Sequence, residues 1–179
     1  MLFASTNAFG VGDAAKVVAG LVDGIIKSDD LTLIEKCLTN AGSLTTDISA
    51  AVADFETESF EGILSGMKTI GKIVKEIPSD LSTCENIEDD IRKLELWASI
   101  FEHPEELMTK VAENIFEHYS EITGDVHTAM ADWTSEDYFG FGNEIANAVV
   151  TAVGTSAPSA DALRGCGPPE CPWNIKTEQ

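Results

Sequence analysis

Asp125-Val126-His127-Thr128-Ala129-Met130-Ala131-Asp132-Trp133 restates, class for class, the earlier stretch Asp47-Ile48-Ser49-Ala50-Ala51-Val52-Ala53-Asp54-Phe55. Both read Asp, β-branched, two variable positions, Ala, apolar, Ala, Asp, aromatic. The likeness continues, since Glu58, Phe60 and Gly62 stand 78 residues before Glu136, Tyr138 and Gly140. Alanines and one aromatic on a face let two helices approach closely, so the repeated letters are those of packing. Two copies are too few for a solenoid. The expectation is an all-α fold of antiparallel helical hairpins with an internal pseudo-repeat, over about 30–77 and 105–154. Residues 1–154 then make a single domain. From 155 to 179, prolines and glycines replace periodicity, and this reads as a tail.

Outward from the repeat, helical periods recur and no β-alternation does. Asp13 offers a cap for a helix to about Lys27, whose arc of Val17, Val18, Leu21, Ile25 and Ile26 leaves only a narrow polar strip. So wide an arc implies deep burial, or contact with lipid or another subunit. Gly20-x-x-x-Gly24 clears room there for a second backbone. Phe60, Ile63, Met67, Ile70, Val74 and Ile77 keep a clean period until Pro78, where the helix is expected to stop. Gly62, Gly66 and Gly71 weaken that helix by about 1 kcal/mol each, which implies close packing along them. Leu107 to Trp133 reads as one long helix softened at Gly124.

The chain has 179 residues and a net charge of −20. Such a balance disfavours nucleic acid, where Lys and Arg neutralise phosphates, and an electrostatic grip on anionic membranes. Lys68, Lys72 and Lys75 form a basic stripe. Glu113, Glu117 and Glu121, at i, i+4 and i+8, form an acidic one. The stripes could meet within a molecule, between molecules, or not at all. The longest uncharged run, 145–160, is shorter than the ~18–20 residues of a membrane span. No leader peptide is visible at Met1–Asn7.

Cys37, Cys84, Cys166 and Cys171 permit three pairings in an oxidising compartment. Cys37–Cys84 with Cys166–Cys171 is the preferred one, since the second pair brackets the bent loop 167–170. Four thiols in a cytosolic protein are the alternative. H-x-x-E occurs at His103/Glu106 and at His118/Glu121, but the acids fall on polar faces, which favours solvated side chains over a metal site. Nucleophile elbow and P-loop motifs are missing. Asp54 and Asp132 read as equivalent structural acids rather than a catalytic dyad. No cofactor or enzymatic role is expected.

Cys84, the run Lys93-Leu94-Glu95-Leu96-Trp97-Ala98, Asp132-Trp133 and Tyr138-Phe139-Gly140-Phe141-Gly142 resemble poorly characterised secreted helical proteins of ciliated protists, over about residues 10–154. The resemblance implies an extracellular, disulfide-containing helical domain without assigned catalytic residues. The functional expectation is a non-enzymatic structural protein that self-assembles into an extracellular filament or coat. Val17, Leu21, Ile25, the three lysines and the three glutamates are its candidate contacts, for another copy or for lipid. The alternative is a helical module that encloses lipid or another apolar ligand.

Overall fold

A computed structural model describes residues 9–28, 31–38, 42–102 and 104–153. Among these, eight helices follow one another without a strand: α1 (Val11–Ile26), α2 (Leu31–Cys37), α3 (Gly42–Phe55), α4 (Phe60–Leu81), α5 (Glu88–Ala98), α6 (Pro104–Glu117), α7 (Tyr119–Thr134) and α8 (Tyr138–Val153). A 3₁₀ turn at Ser99–Glu102 links α5 to α6. The all-α expectation holds. The preferred Cys166–Cys171 pair, the 155–179 tail and His103 lie outside the described residues.

Two helical hairpins carry the repeated letters. At the 78-residue offset, α4 and α8 begin at matching positions, Phe60 and Tyr138. Each hairpin turns through a glutamate in the left-handed region, Glu58 at φ 51° and Glu136 at φ 63°. Each then caps its second helix with the residue before it. Ser59 Oγ accepts from the Gly62 amide at 3.0 Å, and Asp137 Oδ1 from the Gly140 amide at 3.0 Å. Inside α3–α4, Asp54 accepts from Ser65 at 2.8 Å and Asp47 pairs with Lys72, so the acid of the motif staples its own hairpin.

The centre of the molecule is not a hairpin. It is α1 lying on α8, two helices far apart in sequence that run in the same general direction. Gly20 faces Phe139 and Asn143, while Gly24 faces Asn143 and Ala146. A Cβ at Gly20 would fall 2.2 Å from the Phe139 carbonyl, and one at Gly142 would fall 2.2 Å from that of Val17. The backbones therefore touch, as Gly20-x-x-x-Gly24 implies. Val17 and Leu21 are fully buried there, and Asn143 Nδ2 donates to Asp23 at 2.7 Å across the seam. Burying such a side chain stabilises by about 1.5–3 kcal/mol, which settles the wide arc in favour of internal packing. No surface of Val17 or Leu21 is left for lipid or a second subunit; Ile25 is half-buried.

Three boundaries differ from the sequence reading. Helix α1 starts at Val11 with Gly10 as its N-cap, and Asp13 sits in the first turn, where it accepts from the Gly10 amide at 3.1 Å instead of being the N-cap itself. Pro78 lies within α4, which continues to Leu81. The ring needs only one missing hydrogen bond near the helix end, and burial of Ile77, Pro78 and Leu81 outweighs it. The long helix breaks at His118, not Gly124, where a Cβ would meet nothing within 4 Å. No local signal marks His118. The break arises because α6 must reach α4 and α8 together, whereas α7 packs on α8 and α3.

The Cys37–Cys84 bridge, the first half of the preferred pairing, joins α2 to the loop after α4. Nearby, buried Ser28 donates to buried Asp90, which also pairs with Lys93 at 3.1 Å. That network holds the end of α1 against α5.

Candidate functional site

Glycine decides where the molecule opens. A Cβ at Gly71 would fall 2.8 Å from the Phe101 ring, so only glycine lets that ring lie across α4. Phe101 is held in turn by Trp97, with ring centroids 5.3 Å apart. On the far side, Asn114 Nδ2 donates to the Ala152 carbonyl at 2.9 Å and fixes α6 against the last turn of α8. Between these fixed walls, α4, α6, α8 and the 3₁₀ turn enclose an open groove of about 640 Å³. Its floor and walls are apolar, with Met67, Phe101, Leu107, Met108, Val111 and Val149 prominent. Its rim on α4 carries Lys68, Lys72, Lys75 and Glu76.

The sequence-level basic stripe is therefore the edge of a groove. Lys72 is already engaged: its ammonium lies 2.8 Å from Asp47 and 3.9 Å from Glu76. The hydrogen bond to Asp47 comes first among the influences that hold the Lys72 pKa above its usual value. Lys68 and Lys75 are exposed and make no ion pair or hydrogen bond among the described residues.

The acidic stripe is not a stripe. Glu113 and Glu117 lie on α6, while Glu121 lies on α7 beyond the His118 break. Glu121 instead sits 3.6 Å from His118 at the surface. None of the three lines the groove. Sequence reading also missed Phe116, which falls off the apolar period of Val111, Ile115 and Ile122 and is 79% exposed. That mismatch was its only signal.

Carboxylates gather elsewhere, between α7 and α8. Burial, then Asp137 and Glu144, hold the Asp132 carboxyl above its ordinary range. Burial, then Glu144 and Glu121, do the same for Asp125. A raised folded-state pKa means that the folded chain takes up protons first. The stabilising contribution is thus complete below the ordinary carboxylate range and is lost as pH rises through the folded value. Asp132→Asn is expected to stabilise the protein at neutral pH, and the gain should vanish in acid. Thermal melts of both proteins across that range check it; equal shifts at every pH would contradict the assignment.

The described residues thus define a disulfide-bridged, all-helical domain with one face opened into an apolar groove. Comparison with known proteins adds the lineage. The chain belongs to the Secreted protein B-like family, whose sequence profile matches residues 4–152. It is also similar to Secreted protein A of Dictyostelium discoideum, at 26% identity over 145 residues, covering 74% of this chain and 82% of that relative. No solved structure matches. Family and bridge together place the protein outside the cell. The resemblance to secreted proteins stands in that coarser form, since neither match names a ciliate. No helix among the described residues is long and apolar enough to cross a membrane.

Proposed function

We propose that the protein is a secreted, non-enzymatic binding module that holds an apolar ligand in the groove between α4, α6 and α8. The carrying observation is the groove itself, apolar-walled and about 640 Å³, within the range of small-molecule sites. Its walls are set by Gly71–Phe101 and Asn114–Ala152, contacts that serve to keep it open as much as to fill the core. Titration with the uncharged fluorophore Nile red tests the reading. Saturable binding that Met108→Glu abolishes, with the circular dichroism unchanged, is expected. Binding that is insensitive to Met108→Glu would overturn it.

Self-assembly into a filament or coat is a second reading, and Phe116 is the observation that favours it. An aromatic side chain 79% exposed, with the exposed Glu113 and Glu117 on the same helix, suits a basic-rimmed apolar surface on a neighbouring copy. Sedimentation velocity decides it. Assembly that Phe116→Ser and the reversal of Lys68, Lys72 and Lys75 to Glu both abolish would support it; a monomer at all concentrations would end it.

A further inference from the structure

The rim of the groove carries information beyond its apolar walls. In a chain of net charge −20, a site that gathers three of eleven basic residues is exceptional. Lys72 answers Asp47 and Glu76, so its charge has a use inside the fold. Lys68 and Lys75 have none among the described residues. They stand seven residues apart on α4, two helical turns and about 10 Å along one face, on either side of the groove's glycine, Gly71. Their flexible stems let both ammonium groups bend over the same opening. Even with Asp47 and Glu76 counted against the three lysines, the rim keeps one positive charge. Apolar walls with a positive, unsatisfied lip are complementary to one chemical class.

We propose that the ligand is a single-chain anionic amphiphile, a fatty carboxylate, with its chain along Val111 and Val149 and its head between Lys68 and Lys75. This rests on the groove's being a ligand site. It adds which end of the ligand enters last and what recognises it. Both ammonium groups donate to the carboxylate oxygens, and such charge-assisted bonds are stronger than neutral ones. The rim is open to water, which screens it, so the head selects more than it binds.

Dodecanoate and 1-dodecanol, titrated into the protein by calorimetry, separate the two claims. Dodecanoate is expected to bind roughly tenfold more tightly, the factor that about 1.4 kcal/mol gives. Lys68→Met/Lys75→Met, which keeps the apolar stems at the rim and removes both charges, should erase that advantage so that acid and alcohol bind alike. The same advantage should shrink as salt is raised. If the alcohol binds as tightly as the acid, or the double variant keeps the preference, the anionic head is overturned while the apolar groove stands. If neither amphiphile binds the parent protein, the groove reading falls and this inference with it.

Discussion

Gly142→Ala is expected to lower the stability of the protein by about 3 kcal/mol, the upper range for overpacking, because the clash is backbone against side chain. The new Cβ would lie 2.2 Å from the Val17 carbonyl and 3.0 Å from the Leu21 amide. Neither neighbour is a flexible side-chain end, so α1 and α8 must separate along the seam. Separation loosens Val17, Val18 and Leu21, all fully buried, and stretches the Asp23–Asn143 hydrogen bond. Gly20→Ala meets the same obstacle from the other side, at the Phe139 carbonyl. The double variant should cost less than the sum, since one separation relieves both clashes. Gly124→Ala is the contrast: an exposed helical glycine with open space around its Cβ should gain up to about 1 kcal/mol. Urea unfolding followed by far-ultraviolet circular dichroism reads all four. An unchanged midpoint for Gly142→Ala would mean that the helices do not meet there.

Loss of the Cys37–Cys84 bridge is the second large effect. The bridge closes a loop of 47 residues, and the chain-entropy relation gives about 4 kcal/mol for a loop of that size. Its local effect is sharper still. Helix α2 has seven residues and buries only Ile34 along its length, too little to fix a helix that short. Without the covalent tie, α2 should open before the rest of the fold. Hydrogen exchange with and without reductant checks the order: residues 31–38 should lose protection under conditions where α8 keeps it. Simultaneous loss in both would show that the bridge supports the whole domain rather than its edge, and full retention in both would show that it supports neither.

The repeated stretch carried a good deal of this. Asp54, Phe55, Glu58 and Gly62 recur as Asp132, Trp133, Glu136 and Gly140 because a helical hairpin needs a closing aromatic, a left-handed corner and a small residue beside the cap. Those are local requirements, and local requirements leave letters. Gly20-x-x-x-Gly24 showed that some backbone would come close, but not that it would be Phe139 to Ala146, since partner choice is set by the whole chain. The groove was illegible for the same reason. Its lining comes from four elements, and the spacing of Lys68, Lys72 and Lys75 is that of any solvated helix face. Only the arrival of Phe101 over Gly71 turns that face into a rim. His118 left no mark at all, because the break there is imposed by what α6 and α7 each touch.

The seam between α1 and α8 also sets a clock. Asp23 and Asn143 are 120 residues apart, so at roughly 5–20 residues per second α1 leaves the ribosome on the order of ten seconds before its partner exists. During that interval the face of α1 that α8 will cover, with Gly20 and Gly24 on it, stays bare, even though α2, α3 and α5 already pack against the rest of the helix. Helix α1 is then the segment that a chaperone of the secretory route would hold, and the one through which an interrupted chain would aggregate. The hairpin α3–α4, whose halves are neighbours in sequence, can form early and wait, whereas α7–α8 is completed only when α8 itself emerges. Export of this protein is therefore expected to be limited by the docking of its first described helix onto its last.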